Sequence, residues 1–306
     1  MGNKSLVSIG MPVFNGEKHL RKALDSILSQ TYQDFELIIS DNASSDKTQQ
    51  ICLEYTQKDD RVSYYRNERN FGAVWNFNRV FKLSSSPYFK WAAHDDLIAP
   101  TFLHECINVL EHDHSVVLCH SKTARYDEFD QVVGFYDNGS IADSPKPHIR
   151  FRDVLWRKAF PWMIFGVFRR TALIQTPLFQ NFLSSDWNLP ADISLIGRIV
   201  EIPQYLLFRR DHPQSYTASV SARHLIIDYR NRLAWWTGKR KRTLVVLPHW
   251  RNCLEFLKSV QRAPLKWPER CSCYKELGKW FYKYGWGFLT WDLENELGFW
   301  RIQMNR

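Results

Sequence analysis

Nothing constrains the fold of this chain more than an alternation in its first 120 residues, where short apolar runs trade places with stretches of helical spacing. Residues 6–11 form an apolar run halted at Pro12, which reads as a buried strand. Residues 18–29 then put Leu20, Leu24, Ile27 and Leu28 on one helical face. The trade continues with strands at 35–40, 62–65, 87–93 and 116–119 and helices at 46–55, 71–83 and 101–110. Strands separated by helices predict an α/β fold, Rossmann-like, around a mostly parallel central sheet. Sheets of this kind bind ligands beyond the carboxyl ends of their strands.

The residues just past those ends are chemically distinctive. The first strand runs into Pro12-Val13-Phe14-Asn15-Gly16, the second into Asp41-Asn42-Ala43-Ser44-Ser45-Asp46, the fourth into His94-Asp95-Asp96. Carboxylates gathered on one rim repel one another unless a cation lies between them. Carboxylates with a histidine and no thiolate suit Mg²⁺ or Mn²⁺ rather than zinc. The six cysteines contain no CxxC pair and no four-ligand zinc set, and read as thiols of a reducing compartment.

Residues 120–180 read as irregular, with a turn-rich loop over 137–147 and an aromatic stretch over 160–166 that leads into a strand at 167–169. Residues 191–200 read as a helix with Asp192 in its first turn, and 203–212 as a strand ending in Arg209-Arg210-Asp211-His212. From about residue 216 the pattern turns helical, with the clearest helices at 224–236 and 248–260. Composition changes at the same point. Residues 216–306 hold 17 Lys and Arg against 7 Asp and Glu, and 8 of the 13 Trp. Since the whole chain carries +9, the first 215 residues are nearly neutral. A body over 1–215 and a helical, basic, aromatic region over 216–306 are therefore expected, the latter facing an anionic surface such as phospholipid, a lipid-linked substrate or nucleic acid. Its densest cluster, Lys239-Arg240-Lys241-Arg242 beside Trp235 and Trp236, reads either as a membrane anchor or as a solvated face over core tryptophans.

The ordered motifs resemble glycosyltransferase family 2. The resemblance is carried by Val7 to Gly16, by Leu24 to Tyr32, by Phe35 to Asp46, by Asn70-Phe71-Gly72, and by His94-Asp95-Asp96 with Pro100. It extends over about residues 5–215 and is strongest in the first 110. It implies a GT-A fold and transfer of a sugar from a nucleotide-diphosphate sugar to an acceptor hydroxyl, usually with inversion.

The resemblance also implies roles. Asp96 is the metal-ligand candidate, and Asp95 serves the ribose or the metal. The family often has a further acid two residues before Asp95, and here that position is Ala93. Asp41 would accept a hydrogen bond from the nucleotide base, with Pro12, Phe14 and Asn15 lining the same pocket. Asp192 is the general-base candidate and Asp186, six residues upstream, its rival. The family commonly has Glu-Asp there, where this chain has Ala191-Asp192. Arg209 and Arg210 would lie near the diphosphate, and His212 is a further metal-ligand candidate. Trp162, Phe165 and Gly166 fall where an acceptor would sit. Each has a plainer reading: turn caps for Asp41 and for Asp95-Asp96, a strand-to-helix turn for Pro12 to Asn15, a helix-start acid for Asp192, a solvated run for the arginines, a structural histidine for His212, and core packing for the aromatics.

The expected function is thus a metal-dependent inverting transferase using Mg²⁺ or Mn²⁺, acting on a lipid-linked or polysaccharide acceptor in cell-surface glycan synthesis. Two other classes stay open. A nucleotidyltransferase shares such a sheet but wants a Gly-rich basic loop after the first strand, and residues 12–16 offer one Gly and no Arg. A non-catalytic module would bind membrane or polyanion through residues 216–306. No known nucleic-acid motif is present. The N-terminus lacks a signal-peptide pattern, Leu6 breaks the myristoylation pattern, and the longest charge-free apolar run, 160–168, is far short of the ~20 residues of a membrane span. A cytoplasmic location, peripheral at the inner membrane face, is expected.

Overall fold

A computed structural model describes residues 5–136, 142–156, 162–182, 185–212, 232–238 and 247–294. In chain order the first half contains β1 (Val7–Val13), α1 (Leu20–Leu28), β2 (Phe35–Asp41), α2 (Thr48–Lys58), β3 (Val62–Arg66), α3 (Ala73–Leu83), β4 (Tyr88–Trp91), β5 (Leu97–Ile98) and α4 (Phe102–His112). Then come β6 (Val116–Tyr126), β7 (Val132–Tyr136), α5 (Pro147–Leu155), a 3₁₀ turn (Trp162–Phe165), β8 (Val167–Arg169), α6 (Arg170–Leu173), α7 (Ser185–Ile196) and β9 (Arg198–Arg210). Two long helices follow, α8 (Pro248–Arg262) and α9 (Trp267–Trp280), and the described chain runs on helically to residue 294.

The strands join in the order β3-β2-β1-β4-β8-β6-β9-β5, with β7 paired to β6. β3, β2, β1 and β4 are mutually parallel, as are β6 and β9, while β8, β7 and β5 run antiparallel to their neighbours. Most of the paired register is parallel, so the α/β reading holds. Because β1, β2 and β4 share a direction, residues 14–16, 42–46 and 94–96 emerge on one rim.

Alternation along β1 sends Val7, Ile9, Met11 and Val13 into one apolar cluster with α1, α2 and α4. The other face carries Gly10, where an added Cβ would lie 2.7 Å from Val80 Cγ2 and 2.8 Å from Phe89 Cζ. A glycine there lets α3 lie close on the sheet. On that face Trp91 is fully buried between Phe89, Phe168 and Phe179, at ring separations of 4.8 to 5.5 Å. Residues of α8 and α9, Phe256, Val260, Cys273 and Leu277, belong to the same cluster. The C-terminal helices therefore share a core with the sheet.

The stretch expected to be irregular is more regular than its sequence. β6 runs for eleven residues through His120, Ser121, Lys122 and Thr123, whose polarity hides a strand that only pairing with β9, β8 and β7 completes. α5 begins at Pro147, which stands in its first turn, where the missing N–H costs nothing. Residues 213–231 and 239–246, with the Lys239–Arg242 cluster, lie outside the described residues, and so does most of the helix expected at 224–236.

Candidate active site

Beyond the carboxyl ends of β1, β2 and β4 lies a cavity of about 1200 Å³. Its floor is built by two loops knitted together. Asn15, at φ 51°, donates its backbone N–H to Ser44 Oγ (2.9 Å) and accepts the Ser45 N–H on Oδ1 (2.9 Å). The Gly16 N–H reaches Thr48 Oγ1 (2.8 Å), and the Glu17 N–H reaches Asp46 Oδ2 (3.0 Å). Pro12, Phe14 and Asn15 all line the cavity.

Asp41 does not. It closes β2 fully buried, and its two oxygens accept four hydrogen bonds: Ser44 N–H (2.8 Å), Ser44 Oγ (2.6 Å), Tyr64 Oη (2.7 Å) and Arg66 Nη1 (2.7 Å). A carboxylate so committed organises its own loop. The neighbouring Asn42 lines the cavity instead. Its amide donates to Asn70 Oδ1 (2.8 Å) and the Gly72 carbonyl (3.2 Å) while its oxygen accepts from Asn67 Nδ2 and Phe71 N–H (both 3.0 Å). The motif Asn70-Phe71-Gly72 is thus tied to the end of β2.

A second wall comes from the ends of β4 and β9, which deliver Asp95, Asp96, Arg209, Arg210 and His212 to the cavity. His212 Nε2 lies 3.0 Å from Asp95 Oδ2, and the Arg210 backbone N–H donates to Asp96 Oδ1 (3.0 Å). Burial by itself would raise the Asp95 pKa, but the charges of His94 and His212, with the His212 hydrogen bond, outweigh it and hold Asp95 well below the usual carboxylate range. Asp96 moves the other way: burial, then repulsion from Asp95, pushes it up to about 7. His19, its ring 5.0 Å from that of His212, is lowered to about 4 by burial and then by the charges of Arg210 and His212. It is neutral at pH 7.

The arginines are tightly held. Arg209 lies over the Trp162 ring, 4.1 Å from its centroid, and pairs with Asp211 (3.0 Å). Arg210 is buried over Tyr126 and pairs with Asp130 (2.9 Å). Trp162 and Phe165 line the cavity, whereas Gly166 does not. Gly166 is needed for packing: an added Cβ would sit 2.5 Å from the Cys119 carbonyl oxygen of β6.

The helix expected at 191–200 begins at Ser185 and ends at Ile196, with Pro190 inside it. Its first turn therefore carries Asp186, not Asp192. Asp186 lines the cavity, and burial pushes its carboxyl up to about 6, against a downward pull from Arg232. Asp192 is almost fully buried away from the cavity, where Oδ1 accepts from Arg262 Nη2 of α8 (3.1 Å). Arg198, expected on that helix, opens β9 and pairs with Asp113 and Asp143.

Part of the last wall comes from the end of the helix expected at 224–236. Residues 232–238 form a short helical segment that brings Trp235 and Trp236 to the cavity. Trp236 packs near Phe77 and Phe179 and donates its indole N–H to the Gln180 carbonyl (3.1 Å). The segment lies backbone to backbone on the loop before α3. Gly72 and Gly238 both have positive φ, and a Cβ on Gly72 would fall 2.3 Å from Gly238 N. Two glycines a long way apart in sequence are required only once they meet.

Among the described residues, no three His, Cys, Asp or Glu side chains converge as a ready cation site. Asp95 and His212 supply an oxygen and a nitrogen donor side by side, with Asp96 adjoining. Mg²⁺ and Mn²⁺ commonly take one or two carboxylates and complete their shell from substrate phosphates and water, so the donor set fits a cation held jointly with a diphosphate.

Residues 8–175 match the family described as Glycosyl transferase family 2. An uncharacterized glycosyltransferase of Rickettsia typhi is 41% identical over 105 residues, 34% of this chain and 32% of that protein. The alignment thus spans about a third of that relative's length. Among solved structures, S. aureus TarS 1–349 in complex with UDP-GlcNAc superposes with a TM-score of 0.65 at 15% identity, covering 91% of this chain and 73% of that one. Mannosyltransferase PcManGT from Pyrobaculum calidifontis, in complex with GDP-Man and Mn²⁺, gives 0.53 at 14% identity over 96% and 86%. Both likenesses are of fold, and the fold is GT-A. The family match takes in more than half of the chain, including the β1, β2 and β4 loops of the rim, and so this protein belongs to glycosyl transferase family 2.

Proposed function

We propose that the protein is an inverting, metal-dependent transferase that moves a sugar from a nucleotide diphosphate to a hydroxyl of a lipid-linked or polysaccharide acceptor, at the inner face of a membrane. The observation that carries the reading is the meeting in one cavity of Asp95, Asp96 and His212 from two strand ends with Asp186 from α7. The nucleotide would lie over the β1 and β2 loops, against Pro12, Phe14, Asn15 and Asn42, with Asp41 holding the loop beneath. Asp95, Asp96 and His212 would hold Mg²⁺ or Mn²⁺. When bound, the cation would neutralise charge on the leaving diphosphate. TarS and PcManGT, with UDP-GlcNAc and with GDP-Man and Mn²⁺, support a nucleotide-sugar donor and a cation of this class.

Asp186 is the base in this reading. The acceptor oxygen attacks the anomeric carbon from the side opposite the diphosphate. A carbon–oxygen bond forms there as the bond to the phosphate oxygen breaks, its electron pair leaving with the diphosphate. The acceptor proton passes to the Asp186 carboxylate. A base near neutral pKa is suited to that transfer, and burial has moved Asp186 in this direction. Trp162 and Phe165 offer aromatic faces to the acceptor side. Residues 1–215 form the catalytic unit, and 216–306 complete its wall and face the membrane.

Thermal shift with UDP, GDP, dTDP and CDP, each with and without Mn²⁺, tests this. Ligand at 100 times its dissociation constant stabilises by about 2.7 kcal/mol. The expected result is a cation-dependent shift with one nucleotide, lost in Asp96→Ala. Failure of every nucleotide to shift the wild type would overturn the reading.

A further inference from the structure

α9 continues through a π-helical turn, Phe281–Gly285, into a helical segment over 286–294. One side of this rod is packed: Cys273, Leu277, Gly285 and Leu289 are buried, Trp280 meets Phe256 of α8, and Tyr284 meets Trp156 at the end of α5. The other side is open. Trp267 is 70% exposed, Tyr282 89% and Trp286 65%. Lys275 and Lys279, also exposed, fall between them at helical spacing, and exposed Lys283 follows Tyr282 with its ammonium over the edge of the packed side, 5.0 Å from the Trp156 ring centroid. The acids nearby take up part of this charge, and Glu294 stands exposed at the far end of the extension. Glu276 is buried and paired with Lys279 (2.7 Å), and Glu269 is turned back on the helix start, accepting the Lys266 N–H (3.0 Å).

We propose that this face of α9 and its π-turn extension docks on an anionic phospholipid surface, with Trp267, Tyr282 and Trp286 entering the headgroup boundary and Lys275, Lys279 and Lys283 meeting lipid phosphates. Trp and Tyr favour that boundary because one part of the ring system is apolar and another is polar. Lysines reach past buried stems to a charged layer. Charge decides the occupant. A two-fold contact with a second copy would set the three lysines against themselves, since such an interface pairs a patch with its own copy. An anionic bilayer complements them instead. This site rests on the reading of an enzyme working at a membrane and deepens it.

The test is sedimentation of the full chain with vesicles of equal parts phosphatidylglycerol and phosphatidylcholine, against vesicles of phosphatidylcholine alone. Binding is expected only to the anionic vesicles, about tenfold weaker or more in the Trp267→Ala, Trp286→Ala double variant and in Lys275→Gln, Lys279→Gln, Lys283→Gln, the latter with a flatter salt dependence. An unchanged nucleotide-dependent thermal shift shows that the variants fold. In the wild type, quenching of Trp emission by bromine-labelled acyl chains reports insertion without any substitution. Equal binding to both vesicle types, no binding, or self-association abolished by the Trp variant would overturn the proposal. A chain that binds nucleotide but no vesicle loses the docking face and keeps the transferase; one that binds vesicles but no nucleotide does the reverse.

Discussion

The first turn of α7 and its middle carry the same residue type and face different worlds. Asp186 lines the cavity, with its carboxyl raised to about 6. Asp192 lies against α8, paired with Arg262 at 3.1 Å. Six residues of α-helix amount to about one and two-thirds turns, so the two side chains leave the helix in different directions. Only one of them can serve a cavity on one side, and the other is free to hold the helix to its neighbours. An acid on a helix is therefore given its chemistry by the face it occupies.

Substitution breaks this comparison most sharply. Asp186→Asn is expected to lower turnover by about 10²–10⁴-fold while the nucleotide-dependent thermal shift persists. Near-wild-type turnover in that variant would remove Asp186 from the mechanism. Next in size is pH. A base acts deprotonated, and burial lifts the Asp186 pKa, so the acid limb of turnover should lie near 6 rather than near 4. Below that limb the rate should fall about tenfold per pH unit, as for one ionisation. A rate flat from pH 5 to 8 would count against it. The smallest effect on catalysis belongs to Asp192→Ala. Turnover per folded molecule should hardly change, while the urea midpoint drops by the equivalent of about 1–3 kcal/mol as partly exposed Arg262 loses Asp192 and keeps only the longer ion pair with Glu255. A variant of full stability but poor turnover would reverse the two assignments.

Much of the first half could be read directly from the chain. The strands and helices of the first 110 residues fall within a few positions of their expected places, because each apolar run is buried on both faces or one and its periodicity says so. The rim residues Pro12, Phe14, Asn15, Asp95 and Asp96 were reachable for the same reason: they come directly after strands. At three positions the side chains lie elsewhere than expected, for distinct reasons. The resemblance points to Asp192 with Asp186 as its rival, and because α7 spans Ser185–Ile196 rather than 191–200, its first turn carries Asp186. Asp41 ends β2 and Asn42 opens the loop after it; the Asp41 carboxylate is taken up by Ser44, Tyr64 and Arg66, and Asn42 lines the cavity. Gly166, expected beside an acceptor, lies outside the cavity lining and packs closely on β6.

The sequence by itself determined the α/β class, the shared rim and the separation of charge, since local periodicity, turn residues and composition need no knowledge of distant contacts. Tertiary structure alone decided which acid faces the cavity, that Asp41 is already occupied by Ser44, Tyr64 and Arg66, and that Gly238 must lie on Gly72. Each of these depends on groups remote in the chain competing for the same few ångströms, and no local pattern encodes the outcome of that competition.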